Sequence, residues 1–281
     1  MGNKMVRVTE AEYKKQLVAL LSRVHQVCDK YGLRYTIAFG TLLGAIRHKG
    51  FIPWDDDIDI CMPREDYRKF AEVFPSEDGR YYTLDSKNSM YYYNCIYRVC
   101  DGDMVLPLKD VPSIDKFGAF IDIFVLDKWP TDETELNHRY NEIRTRIKNL
   151  RLALPLSYCK NITFRQKISR FVRIPRVIYY KYFIGFKKLR EELDRLVEQY
   201  NNQDTGWRMV SSDNPRLAPW FIREDELDKR ILIPFEELMV YAPQNYDELL
   251  TKRYGDYMKF PPEEQRITQH HFTPYWKNKL N

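Results

Sequence analysis

Residues 40–60, GTLLGAIRHKGFIPWDDDIDI, bring a small-residue turn, a basic segment and a run of aspartates into one short stretch. Just before it, Tyr35 to Phe39 is rich in aromatic and β-branched residues and is bounded by Gly32 and Gly40, which predicts a buried strand. Gly40 and Thr41 then open a helix. With a hydroxyl cap and free backbone N–H groups at its positive dipole end, such a helix start accepts anions, phosphate among them.

The second half of the stretch supplies the opposite charge. In an extended strand alternate side chains share a face, so Asp55, Asp57 and Asp59 project together while Ile58 and Ile60 anchor the strand in a core. Like charges this close repel strongly unless a cation lies between them. Mg²⁺ takes one or two carboxylates together with waters and substrate phosphates, so the Asp57-x-Asp59 pair suits it, and Mn²⁺ is the alternative. The plainer alternative is an acidic loop of turn aspartates. Asp122 is a third acid, set in the apolar run Phe120 to Leu126, where an unpaired carboxylate would be costly. Either it lies beside Asp57 and Asp59 on a neighbouring strand, as a metal ligand or general base, or it is bonded to buried backbone or to an arginine.

On these residues the chain resembles the LicD family of phosphotransferases, whose eukaryotic relatives include fukutin and fukutin-related protein. The resemblance rests on the 40–60 stretch, on Gly118 to Asp127, and on Tyr246 to Leu250 with Tyr254 to Met258. It implies an α/β (α+β) nucleotidyltransferase-like mixed sheet flanked by helices. It also implies transfer of a substituted phosphate, most often phosphocholine from CDP-choline, to a sugar hydroxyl of a cell-surface glycan precursor such as teichoic acid, lipopolysaccharide or capsule. Transfer of ribitol, glycerol or ethanolamine phosphate from a CDP-linked donor, or nucleotidyl transfer, would use the same acids. Carried over, the resemblance makes Gly40 and Thr41 the phosphate-side turn, Asp57 and Asp59 the metal pair, and Asp122 the third carboxylate. Asp55 and Asp56 stay ambiguous. The segment Arg47 to Trp54 is then a family-specific loop, in which Arg47 could clamp a diphosphate and His48 or Lys49 add a charge near the leaving group. A solvated helix end is the other reading of those three cations. For a choline headgroup, Trp54 is a cation–π candidate by its proximity to the acids, as are Tyr91 to Tyr93, Trp220 and Trp276 elsewhere. His25, His138, His270 and His271 lack metal-ligand spacing; His270 and His271, near Arg266, read either as donor-phosphate contacts or as surface residues.

Punctuation divides the chain into a catalytic core over 1–131, a basic and aromatic helical insertion over 132–205, and a C-terminal part over 206–281 that completes the catalytic domain. Thr9-x-x-Glu12 predicts a capped helix carrying Leu17, Leu20, Leu21 and Val24. Arg64 to Phe74, Thr131 to about Leu154, Lys187 to Tyr200 and Asn245 to Arg253 read as helices. Tyr81 to Leu84, Asn94 to Val99, Phe120 to Leu126 and Arg230 to Phe235 read as strands. Five cysteines, without CxxC pairs or histidine partners, argue for reduced thiols. With no apolar leader and no span-length apolar run, the expected place is the cytoplasm, with peripheral contact on the inner membrane face as an extension of it. Net charge is +5, yet Lys160 to Arg190 holds ten Lys or Arg and no Asp or Glu, interleaved with aromatics. That segment suits an anionic leaflet and a lipid-linked glycan acceptor, or is a plain helical lobe; nucleic acid is not expected, because a pI of 8.7 is below the strongly basic range.

Overall fold

The computed structural model describes residues 6–89, 91–107, 117–154, 168, 174–212, 220–268 and 273–277. Cys159, His270, His271 and all of the basic segment before Ile174 except Ile168 lie outside them. The architecture is a seven-stranded mixed sheet with helices packed on it. Its long central strand, β7 in chain order (Ala119–Lys128), runs parallel to β3 (Asp59–Pro63) and antiparallel to β5 (Ile96–Asp101). Beyond these lie β2 (Thr36–Ile37) next to β3 and β4 (Tyr81–Leu84) next to β5, while β8 (Trp207–Val210) pairs with the last three residues of β7 and carries β9 (Phe221–Arg223). A small second sheet joins β1 (Val6–Arg7), β12 (Tyr275–Trp276) and β6 (Met104–Val105). The remaining pair is the hairpin of β10 (Arg230–Phe235) and β11 (Leu238–Pro243).

Helix α1 (Glu10–Tyr31) begins with the expected capping box: Thr9 Oγ1 accepts from the Glu12 amide at 3.2 Å and the Glu12 carboxylate accepts from the Thr9 amide at 2.9 Å. It ends on Gly32 at φ 65°, and Leu17, Leu20, Leu21 and Val24 are buried. The expected helices appear as α3 (Arg64–Val73), α4 (Glu133–Ala153), α6 (Phe186–Glu198) and α7 (Tyr246–Tyr254). Between α4 and α6, the short α5 (Ile174–Ile178) runs on as a π-helix over Tyr179–Ile184. Two apolar clusters result. The larger lies around β3, β5, β7, α1 and the helix α2 (Phe39–His48); the smaller gathers Ile143, Leu150, Leu189, Leu193 and Val197 around Trp129 and Met209.

Two local expectations are corrected. The strand expected over Tyr35 to Phe39 is paired only at Thr36 and Ile37, because the chain bends sharply at Phe39 (φ 47°) and the helix α2 starts there. The strand expected through Asp55, Asp57 and Asp59 begins only at Asp59. Pro53 sits second in a turn closed by the Asp55 amide on Ile52 O at 2.9 Å, so the preceding residues are spent on reversing the chain. Cys28, Cys61, Cys95 and Cys100 are buried and form no disulfide among the described residues. No described helix is long and apolar enough to cross a membrane.

Candidate active site

The site grows from the ends of adjacent strands. Asp59, the first residue of β3, is the register partner of Asp122 on β7, and Asp122 is in turn the partner of Arg98 on β5. Register partners on neighbouring strands share a face, so carboxylate, carboxylate and guanidinium form a row across the sheet. Arg98 Nε donates to Asp122 Oδ1 at 2.5 Å, and the guanidinium packs 4.3 Å from the Phe120 ring centroid and 4.9 Å from that of Phe117. Asp122 is thus paired with an arginine and stands beside Asp59.

Backbone contacts fix the two acids. The Asp122 amide donates to Ile58 O at 3.0 Å, the Ala38 amide to Asp59 O at 3.0 Å, and the Asp59 amide to Thr41 Oγ1 at 2.8 Å. The last bond corrects the expected helix cap: the Thr41 hydroxyl does not serve the start of α2, whose cap residue Ala38 makes no side-chain bond. It ties that helix to the first residue of β3 instead. Gly40 is needed for close approach, since a Cβ there would lie 2.8 Å from Asp55 Oδ2. A carboxylate thus stands over the helix start.

Charge is concentrated here. Burial, followed by the negative charges of Asp57, Asp122 and Asp55, holds the Asp59 carboxyl well above the ordinary carboxylate range, and Arg253 offsets only part of this. Tyr13 of α1 is held well above the ordinary phenol range, first by burial and then by Asp56, Asp57 and Asp122. Arg253, at the end of α7, lies 4.5 Å from the Phe39 ring centroid, and the neighbouring Tyr254 is pushed up to about 12 by burial, with Asp59 and Asp55 contributing.

Arg47, His48 and Trp54 form a separate group. They lie towards the far end of α2, and the seven residues from Gly40 to Arg47 span about 10 Å of helix rise. Arg47 Nη1 donates to Tyr257 O at 2.8 Å, Arg47 Nε to His48 Nε2 at 3.0 Å, and Phe260 lies 4.8 Å from the guanidinium. Arg266 stacks 5.7 Å from Trp54 and 5.4 Å from Phe260, so a cation already covers the indole proposed for a choline headgroup. Burial and then Arg266 lower the Arg47 pKa; burial and then Arg47 lower that of His48. Lys49 caps α2 at φ 63°, and its carbonyl accepts from the Glu236 amide at 2.8 Å, while Glu236 accepts from the Phe51 amide at 2.9 Å. The β10–β11 turn therefore clamps this loop.

Residues that sequence reasoning passed over are Tyr13, Arg98 and Arg253. Arg98 was detectable as a lone cation in an apolar strand that needs a partner. Arg253 falls between the two C-terminal blocks of the resemblance. Tyr13 carries no signal that separates it from ordinary packing residues.

A divalent cation at this site would have to be held by side-chain oxygens. Among the described residues no group of three or more His, Cys, Asp or Glu side chains forms a ready cation cage. The donor chemistry nevertheless fits: carboxylates are hard oxygen donors, burial and then their mutual repulsion raise the proton affinity of Asp59, and Mg²⁺ uses few protein carboxylates when phosphates and waters complete its shell.

An acidic row beside a glycine-threonine helix start, on a mixed sheet, is the framework of an enzyme that handles phosphate. Residues 32–176 match the family described as LicD/FKTN/FKRP, nucleotidyltransferase domain, and the chain belongs to that family. It is a phosphotransferase. A relative from Haemophilus influenzae, named lipopolysaccharide cholinephosphotransferase LicD, is 30% identical over 269 residues, covering 95% of this chain and 97% of its own. Human FKRP, named a ribitol 5-phosphate transferase, is 40% identical over 53 residues, 19% of this chain and 11% of its own. An uncharacterized protein of Rickettsia prowazekii is 33% identical over 114 residues, 41% of this chain and 40% of its own.

Proposed function

We propose that the chain transfers a substituted phosphate, phosphocholine from CDP-choline in the first reading, to a sugar hydroxyl of a lipid-linked cell-surface glycan precursor. The observation that carries the reading is the register pairing of Asp59 with Asp122 beside the Gly40–Thr41 helix start. The near full-length likeness to a lipopolysaccharide cholinephosphotransferase favours the headgroup, and the FKRP match keeps a polyol phosphate as the second reading.

In the reaction, the acceptor hydroxyl oxygen forms a bond to the β-phosphorus, the bond from that phosphorus to the bridging oxygen breaks, and CMP leaves with the electron pair. The acceptor's proton goes to Asp122, whose Oδ1 is held by Arg98 so that Oδ2 is the accepting atom. Asp57 and Asp59, with Asp122 beside them, are the residues that would hold Mg²⁺ or Mn²⁺. When bound, that ion screens phosphate charge as a Lewis acid. Arg253 is placed to compensate negative charge next to Asp59. Arg47 holds the 257–260 segment by its backbone carbonyls, and with Lys49 and Arg266 it makes the outer wall positive, suited to the donor's phosphates, while His48, whose Nε2 accepts from Arg47, adds no charge there and does not serve as the expected cation.

Thermal unfolding with Mg²⁺ and CDP-choline, CDP-ethanolamine, CDP-ribitol or CDP-glycerol tests the assignment, because a true donor stabilises the folded state by mass action. CDP-choline should give the largest shift. A larger shift with CDP-ribitol or CDP-glycerol moves the headgroup to a polyol, and no response to any CDP compound overturns the donor class.

A further inference from the structure

The helical stretch from Ile174 to Ile184 has two unlike sides. Tyr180 and Ile184 turn inward and, with Phe186 just beyond, pack on the smaller apolar core. Ile174, Ile178, Tyr179, Tyr182 and Phe183 are exposed, Tyr182 at 71% and Phe183 at 76%. Large apolar side chains so open to water are out of place on a surface without a partner. The π-helical winding over Tyr179–Ile184 displays them: the Tyr179 and Phe183 rings stack at 6.3 Å, 22° from parallel.

Cations frame this patch. Arg176, Lys187 and Lys188 are exposed, and Lys181 Nζ lies 5.0 Å from the Tyr182 ring centroid, its stem along the aromatic surface. The sequence from Ile174 to Arg190 contains no Asp or Glu. We infer that this face docks on the surface of an anionic lipid bilayer, with Ile178, Tyr179, Tyr182 and Phe183 entering the headgroup boundary and Arg176, Lys181, Lys187 and Lys188 meeting lipid phosphates. Eleven helical residues reach about 16 Å, half of a hydrocarbon core, so the element lies in the interface and does not cross it. A second copy of the chain is a poorer occupant. Self-association about a two-fold axis sets the same patch against itself and brings its cations together. Phenol and phenyl rings with interleaved lysines match the boundary between headgroups and acyl chains. The docking does not depend on which phosphate is transferred.

Flotation of the full chain with phosphatidylcholine vesicles, with and without phosphatidylglycerol, tests the docking. The chain should float with the phosphatidylglycerol vesicles, less so as salt rises. Tyr182→Ser combined with Phe183→Ser should abolish flotation at an unchanged unfolding temperature. Lys187→Glu and Lys188→Glu should each weaken it at least about five-fold, the factor corresponding to about 1 kcal/mol per juxtamembrane cation. The inference is overturned if the unaltered chain stays with the aqueous fraction, if the serine variant floats equally well, or if light scattering shows that the serine substitutions dissociate an oligomer without changing flotation.

Discussion

Asp59 and Asp122 stand side by side across the parallel pair β3–β7, at a strand spacing of about 4.8 Å, with Arg98 closing only the Asp122 side of the row. The imbalance falls on Asp59, the acid that burial and its neighbours keep prone to protonation. An amide at this position retains the shape and discards the charge. Asp59→Asn should leave the fold intact, raise or preserve the unfolding temperature in chelator, and lower transfer at least about a hundredfold. Transfer at the unaltered rate by the asparagine variant would remove Asp59 from the chemistry.

The same imbalance sets a pH dependence. The folded-state pKa of Asp59 is raised above its unfolded value of about 3.9. The stability it contributes is therefore full below that value and is lost as pH rises through the folded pKa. Mg²⁺ or Mn²⁺ held by the ionised acids should restore the loss. The cation-induced rise in unfolding temperature should accordingly grow with pH from acid towards neutral conditions, and EDTA should cancel it reversibly. A rise that is the same at all pH values would place the cation away from these carboxylates.

Arg98 and Asp122 make the complementary case, a largely buried ion pair packed between two phenylalanine rings. Removing one partner strands the other. Arg98→Ala should cost about 3–5 kcal/mol of stability in chemical denaturation. The double change Arg98→Met with Asp122→Asn should recover much of that stability without recovering transfer, separating the pair's packing from the chemistry of the acid. If Arg98→Ala is as stable as the unaltered chain, the pair does not order the strand row.

Much of the fold is legible in the chain because local signals agree with the final packing. The Thr9–Glu12 box, the apolar run around Asp122 and the Gly255 stop at the end of α7 each mark the element found there. The adjacency of Asp59 and Asp122 was also readable, since two acids in apolar settings need common compensation. What could not be read is decided by contacts far apart in sequence. Thr41 looks like a helix cap and instead accepts from Asp59, 18 residues away. Arg47 bonds a carbonyl 210 residues downstream, which places it at the outer wall and not at the Gly40 turn. The strand through Asp55 was lost to a Pro53 turn that outweighed the alternation of acid and isoleucine. Periodicity states which face a side chain would take in a strand; it does not say where the strand starts.

Gly44 offers a test of how that turn is positioned. A Cβ there would lie 2.4 Å from Gly50 O and 3.1 Å from Ile52 N, both backbone atoms that cannot rotate away. Gly44→Ala should therefore push out the loop whose far end carries Trp54 and Asp55, costing about 1–3 kcal/mol despite the better helix propensity of alanine. Transfer should fall as well, because Asp55 stands over Gly40 and contributes to the field at Asp59. The neighbouring Ala45→Gly weakens the same helix, by about 1 kcal/mol through propensity, without thrusting an atom into the loop. Its transfer rate should stay near that of the unaltered chain. Equal losses of rate in the two variants would show that general weakening of α2, and not displacement of the loop, governs the site.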